Sequence, residues 1–376
     1  MPVSSSIKKV LVVNIFGIGD VLFTTPLLSN IKKNIPDAII GYVANSRGAA
    51  VLENNPNIDH LYTYERDEYQ AIYRQSKGLF FRRGWEFLSS LKKEKYDLLI
   101  DLSLNRWVSF WAWLSGIPQR AGFNYKSRGW FLNKKIKFQG YENRHIVEYY
   151  GGLLKDLGFT VHPESLKLPI AKEDSLWANL FLTKQGLSPG NKKIGIVPGG
   201  GASWGADAVY KRWPPKKYAE LADKIIENLK TPIILLGDIK EKELCEQIAG
   251  LMKHPVVLAC GRTTIGQCSA LFKQCSLAIV NDGGPLHIAV ASGIRTVSVF
   301  GPVDENVYGP YPRTNHIVVT IDIACRPCYR QFRLAKCEHL SCLNNIEVDD
   351  VFKKVIMAIA SSPGRKVEKQ HERPVY

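Results

Sequence analysis

A chain of 376 residues exceeds one ordinary core and suits two domains of about 150–200 residues each. Its 45% hydrophobic and 23% charged content exclude disordered and fibrous classes, and its longest nearly uncharged apolar stretch, residues 107–118, is too short and too interrupted by serine and glycine to span a membrane. The formal net charge of +15 favours acidic partners such as nucleic acid, anionic headgroups or phosphorylated small molecules, without choosing among them.

Near the start, Lys8-Lys9 and the apolar run that follows mimic a signal peptide. Asn14 interrupts that run and a helical pattern replaces the cleavage site, so residues 7–15 read as the first strand of a cytoplasmic protein. Phe16-Gly17-Ile18-Gly19-Asp20 then turns into a helix over 21–34. It is not the dinucleotide fingerprint, because the third glycine of that motif would fall on Leu22, which counts against a nicotinamide enzyme. Strands are predicted at 38–44, 58–64, 96–102 and 120–123, and helices at 47–53, 84–95, an aromatic segment after Asn105-Arg106, and 144–157. This alternation predicts parallel α/β layering, followed by a less regular linker to residue 174.

The rhythm resumes near Ser175, with a strand at 193–197 and a flexible turn, Pro198-Gly199-Gly200-Gly201, where the backbone can approach a ligand. A small-residue loop over 202–209 precedes Lys211-Arg212-Trp213-Pro214, and Pro214 opens a helix through 229. Strands at 232–237, 256–259 and 296–300 and helices at 241–251 and 265–272 continue the pattern. Within it, 276–293 carries a buried strand, Asn281-Asp282-Gly283-Gly284-Pro285 and a helix containing His287, a corner whose helix start offers unpaired N–H groups to an anion or serves simply as a packed connection. The last helix spans 348–361, and the charged tail beyond it is expected to be mobile.

Two clusters stand out. Between 120 and 144, Arg120, Lys126, Arg128, Lys134, Lys135, Lys137 and Arg144 face one acid, Glu142, with aromatics interleaved, a pattern that suits RNA, a membrane surface or a solvated face. Cys325-x2-Cys328-x8-Cys337-x4-Cys342 has zinc-like elements, but its spacing departs from a zinc ribbon, and a reduced thiol cluster stiffening a loop is the favoured reading.

Taken in order, Gly17-x-Gly19-Asp20, Pro198 to Gly201, Lys211 to Pro214, Gly237 with Glu241, Asn281 to His287, Phe300-Gly301-Pro302 with Asp304, and Cys325-Arg-Pro-Cys328 resemble glycosyltransferase family 9, the ADP-heptose:lipopolysaccharide heptosyltransferases. The resemblance implies a GT-B fold of the α/β class: two Rossmann-like domains with parallel sheets facing across a cleft. Residues 1–174 would bind the acceptor and 175–345 the nucleotide-sugar, with a C-terminal helix, 346–362, packing back on the first domain and 363–376 a mobile tail. It implies inverting transfer of a heptose or related sugar from an ADP-sugar to the lipopolysaccharide core or a similar anionic glycolipid, with no cofactor or metal required and no nucleic-acid partner. The enzyme would work in the cytoplasm, held peripherally on the anionic inner leaflet. A UDP-sugar transferase, an epimerase of the same build, and a non-catalytic RNA-binding protein are the alternatives.

The resemblance also assigns roles. Asp20 matches the family's base, although an aspartate there also suits a helix cap. Lys211 would meet the donor phosphates. Gly17, Gly19, Gly199, Gly200, Gly283 and Gly284 would shape the donor site, where a threonine common in the family is replaced by Gly283. Asp282 would cap the helix or bind a sugar hydroxyl, and Glu241 would take the ribose hydroxyls or merely favour its helix start. His287 would reach the donor or bond a backbone carbonyl in the core. Arg106, Arg120, Lys126 and Arg128 fit an anionic acceptor.

Overall fold

The computed structural model describes residues 7–188 and 190–360; the expected mobile tail lies outside the described residues. The first sheet consists of strands β1 (Lys9–Val13) and β2 (Ile39–Ala44), both rich in β-branched residues, with β3 (His60–Thr63), β4 (Leu98–Asp101), β5 (Gln119–Tyr125) and β6 (Lys134–Phe138). They pair in parallel in the order β3-β2-β1-β4-β5-β6. Helices cover both faces, so alternate residues of β1 enter different cores: Val10 and Val12 pack with Leu22, Leu28 and Ile100, whereas Leu11 and Val13 pack with Phe80, Leu91 and Trp111.

The second sheet repeats this plan with β7 (Ile194–Val197), β8 (Ile233–Leu235), β9 (Val257–Leu258), β10 (Leu277–Asn281), β11 (Thr296–Val299) and β12 (His316–Val319), again all parallel, in the order β12-β11-β10-β7-β8-β9. Counted within each sheet, both orders are 3-2-1-4-5-6. The strand order reverses beside β1 and beside β7, and in such sheets ligands lie outside the carboxyl ends at that point. The two carboxyl edges face each other across a cleft, as in the expected GT-B architecture. Helix Ile18–Leu22, leaving β1, and helix Gly284–Ala291, leaving β10, nearly touch there: a Cβ on Gly284 would sit 3.5 Å from the Ile18 Cβ and 4.0 Å from the Gly19 nitrogen.

Several elements differ from expectation. The predicted helix 21–34 is two helices, Ile18–Leu22 and Thr25–Asn34, because the Thr24 and Thr25 hydroxyls bond back to the Val21 and Leu22 carbonyls and Pro26 opens the second. The predicted helix 84–95 starts at Lys77, capped by Ser76. Helix Arg66–Gln75 has no buried residue, and edge strand β6 turns Lys134, Lys135 and Lys137 to solvent, so neither carries the apolar pattern that reveals an element.

The C-terminal helix, Val348–Ala360, does not pack back on the first half. Its stripe of Val351, Val355 and Ala358 enters the core of the second sheet with Trp213, Ile225, Val297 and Val299, while the Arg295 guanidinium bonds the Ala358 carbonyl at 2.9 Å. The segment that does reach back is a hairpin, Tyr329–Arg330 with Arg333–Leu334, whose Phe332 ring packs 5.3 Å from Tyr125 and 5.7 Å from Tyr141. The Tyr125 hydroxyl donates to the Gln331 carbonyl at 3.4 Å.

Trp213 is buried and its indole N–H donates to the Ile346 carbonyl, fastening the chain just before the last helix. Trp213→Ala is expected to cost about 3–5 kcal/mol of stability, read as a lower urea midpoint.

Candidate active site

The corner after β1 is held by two buried amides. Asn14 accepts the Phe16 N–H and donates to the Asp20 carbonyl, both at 3.1 Å; Asn45 donates to the Ile15 and Phe16 carbonyls at 3.0 and 2.9 Å. Gly17 occupies the N-cap position and Asp20 lies inside the first turn, so Asp20 is not the cap that the sequence allowed. Its half-buried carboxyl faces the cleft. Burial raises its pKa, the Lys211 ammonium from the other half opposes the rise, and the balance stands at about 6.

The corner after β10 is tied to the turn after β7 through Asn281. Its amide donates to the Pro198 and Gly199 carbonyls at 2.6 and 3.3 Å, while its oxygen accepts the Tyr218 hydroxyl at 2.7 Å and the Trp213 N–H at 3.3 Å. Gly283 follows with φ of 146°, and a Cβ there would lie 2.4 Å from the Gly200 carbonyl oxygen. Both conditions exclude a side chain, so the threonine of the family motif has no room in this turn.

Asp282 does not cap the helix. Its Oδ2 lies 2.7 Å from the Lys211 Nζ, with both side chains buried. The contact is Coulombic rather than a directed hydrogen bond, since Oδ2 accepts none. The Trp204 ring lies 3.9 Å from the same ammonium, and Tyr329 packs beside that ring at 4.8 Å.

Glu241 is buried and its carboxylate accepts the Gly201 N–H at 3.0 Å and the Asp238 N–H at 3.1 Å, the latter closing a capping box. Burial raises its pKa against those bonds. Gly199 and Gly200 do not line the cleft; they give way to it, for a Cβ on Gly199 would fall 1.8 Å from Glu241 Oε1. Arg212 faces inward, its Nε buried and its charge felt by Glu241. His287 is buried against Phe23 with ring centroids 4.4 Å apart, and burial drives its pKa well down, leaving it neutral. Its Nδ1 has no hydrogen-bond partner, so it is not the carbonyl-bonded core histidine.

These groups line one cleft of about 720 Å³ shared by both sheets. Gly17, Gly19, Asp20, Lys211, Glu241, Asp282, Gly283, Gly284 and His287 all reach it. Of the four cations expected to meet an anionic acceptor, Lys126 and Arg128 line it, but Arg106 and Arg120 do not. Arg106 is exposed outside the cleft, and the Arg120 guanidinium is consumed by the Phe131 and Ile117 carbonyls of its own loop. Arg47 and Arg66 take their place, delivered by the helices after β2 and β3. Thr263, Ile265 and Cys268 line the other end beside Gly237 and Asp238. The position of Arg47 after a strand was the available signal; Arg66 and the 263–268 wall had none in the sequence. Among the described residues no group of three or more histidines, cysteines or carboxylates is arranged to hold a metal ion; Cys325, Cys328, Cys337 and Cys342 form no disulfide, and their thiols lie near one another, burial first and the neighbouring thiols second pushing the Cys328 and Cys342 pKa values up.

Gly199→Ala is expected to displace the Glu241 carboxylate and leave the Gly201 and Asp238 amides unpaired, a loss of about 1–3 kcal/mol measurable by denaturation, whereas Gly250→Ala, on helix Lys242–Leu251 with open space around the glycine, costs no stability and leaves Glu241 undisturbed.

Comparison with known proteins accords with this geometry. Residues 85–339 match the family model for glycosyltransferase family 9 (heptosyltransferase), well over half the chain. Lipooligosaccharide heptosyltransferase 2 of Campylobacter jejuni is 28% identical over 342 residues, covering 90% of this chain and 95% of the relative. A glycosyl transferase family 9 protein from Veillonella parvula superimposes with a TM-score of 0.80 at 25% identity, covering 94% of this chain and 98% of that one. The ADP-heptose LPS heptosyltransferase II of E. coli does so at 0.73 and 22%, with the same coverage. With the two facing doubly wound sheets and their shared cleft, these matches establish that the chain belongs to glycosyltransferase family 9.

Proposed function

We propose that this enzyme transfers a heptose, or a closely related sugar, from an ADP-sugar to the lipopolysaccharide core or a similar anionic glycolipid, with inversion at the anomeric carbon. The observation that carries the reading is one cleft holding Asp20 from the first sheet and Lys211 with Asp282 from the second. In a direct displacement the acceptor oxygen bonds to the anomeric carbon as the bond to the diphosphate breaks. The hydroxyl proton passes to Asp20 and the electron pair leaves with ADP. A carboxylate of pKa about 6 is ionised at neutral pH yet more basic than an ordinary aspartate, which suits that proton transfer.

On the leaving side, Lys211 supplies positive charge where the diphosphate gains negative charge, and the Gly283 and Gly284 amides at the start of an eight-residue helix add donors. Asp282 holds the ammonium in place in the free enzyme and is placed to accept a sugar hydroxyl. Glu241 uses part of its acceptor capacity on the Gly201 and Asp238 amides and keeps lone pairs for ribose hydroxyls, with Thr263, Ile265 and Cys268 beside the base. Lys126, Arg128, Arg47 and Arg66 suit the phosphate or carboxylate groups of an anionic acceptor. Heptosyltransferase relatives matching along nine-tenths of the chain support the sugar and the acceptor class. An acceptor of that kind would be met at the inner face of the cytoplasmic membrane, with the enzyme attached peripherally.

Calorimetric titration with ADP and UDP tests the donor. ADP is expected to bind more tightly, and Lys211→Ala to weaken it about tenfold or more; tighter UDP binding would move the reading to a UDP-sugar enzyme, transferase or epimerase. Asp20→Asn is expected to lower turnover about 10²–10⁴-fold with ADP affinity retained. In the wild type kcat/KM should fall as pH drops through about 6, because the base becomes protonated. In Lys211→Gln, which lacks the cation that lowers the Asp20 pKa, the residual activity should lose its acidic limb at a higher pH.

A further inference from the structure

Positive charge is concentrated in two segments. Residues 120–144 carry seven cations against one anion, and residues 74–93 carry six (Arg74, Lys77, Arg82, Arg83, Lys92, Lys93) against Glu86 alone, so their net charges of +6 and +5 account for most of the chain's +15. Within these segments and between them stand exposed aromatic rings that neither the cleft nor the core explains. Trp130 is 74% exposed, Trp85 61%, Phe81 50% and Trp113 43%. Ring contacts link two of them, Phe81 and Trp113, through the buried Trp111 ring: Phe81 meets Trp111 at 6.1 Å, Trp111 meets Phe110 at 5.0 Å, and Phe110 and Trp113 each meet Phe131 at 5.5 Å. Trp85 lies one turn beyond Phe81 on helix Lys77–Glu94, and Trp130 adjoins Phe131. Gly84 lets that helix press on Trp111, where a Cβ would fall 2.1 Å from the indole ring.

We infer that this aromatic face, framed by the two cationic segments, inserts into the headgroup layer of an anionic phospholipid leaflet and sets the mouth of the cleft against the membrane. Tryptophan and phenylalanine surrounded by lysine and arginine suit that layer, where rings reach the acyl boundary while the cations meet lipid phosphates. The patch adjoins the acceptor side: Asn105, at the cap of the aromatic helix Arg106–Leu114, lines the cleft, and Arg128, two residues before Trp130, lines it as well. A glycolipid seated in the leaflet would present its sugars to Asp20 without leaving the bilayer. The inference rests on the glycolipid reading of the acceptor and is tested separately from it.

The full-length enzyme is floated with vesicles of phosphatidylethanolamine and phosphatidylglycerol and, in parallel, of phosphatidylcholine, while tryptophan emission is followed with brominated lipids as quenchers. Binding to the anionic vesicles with quenching is expected. Trp113→Ser/Trp130→Ser should lower the partition coefficient about tenfold or more, and Lys77→Glu/Arg83→Glu should lower it as well. Circular dichroism checks that each variant is folded, and turnover on a water-soluble, deacylated acceptor should stay within about twofold for the aromatic variant. Vesicle binding that is unchanged by the aromatic substitutions overturns insertion, as does an absence of vesicle binding. A dimer in solution that the aromatic substitutions dissociate would assign the patch to a second copy of the chain and would equally overturn it. Retained turnover on the deacylated acceptor in any of these cases leaves the transferase reading standing.

Discussion

The structure depends on a backbone-to-backbone approach between two glycine corners, one from each sheet. Gly19 has no Cβ, and a methyl group there would lie 2.6 Å from the His287 ring; Gly284 in turn admits Ile18 and the Gly19 nitrogen. With no side chain between them, the starts of helices Ile18–Leu22 and Gly284–Ala291 come together, and the Asp20 carboxyl of one half enters the field of the lysine of the other. Larger residues at these two positions would separate the charges before any chemistry was touched. The close fit also dries the surroundings, which is why His287 is neutral and why the carboxyl of Asp20 resists ionisation.

Buried amides keep this approach fixed. Asn14, Asn45 and Asn281 stand where strands end, and each spends its donors and its acceptor on backbone or side-chain groups of neighbouring turns. A fully bonded buried amide specifies one arrangement, because any slip leaves a polar group unpaired. The Lys211–Asp282 contact works differently: it is held by charge and leaves Oδ2 without a hydrogen bond. The scaffold is rigid, and the pair inside it has capacity in reserve for a ligand.

Much of this plan was legible because its physics is local. Val10 to Val13 and Leu277 to Val280 are buried on both sides, so their strands are continuous apolar runs, and the glycine turns after them mark where backbone must bend or come close. Asp20, Glu241 and His287 sit within four residues of such turns, Lys211 ends the segment that follows one, and all reach the cleft. What could not be read depends on partners far along the chain. The exposed lysines of β6 conceal an edge strand. Arg120 has the chemistry of an anion-binding residue, yet carbonyls of its surroundings occupy its Nε and Nη1 donors, whereas Arg66, at the start of the helix after β3, lines the cleft. The last helix has an apolar stripe that fits either sheet by composition, and only the packed core with Trp213 and Val299 shows which.

The hairpin at 329–334 bears on opening of the cleft. It is anchored at its base by the Pro302 carbonyl, which accepts the Cys328 and Tyr329 N–H groups, and by Arg326, which pairs with Glu305 at 2.6 Å; at its tip Phe332 lodges among Tyr125, Phe138 and Tyr141 of the opposite half. Tyr329, within the same turn, supports the Trp204 ring that lies over Lys211. The two halves therefore cannot swing apart without extracting Phe332 from its aromatic socket, and the same movement loosens the cover over the ammonium. An aromatic latch remote from Lys211 therefore resists opening of the cleft, and any opening that does occur must break ring packing in the first half before it uncovers the ammonium.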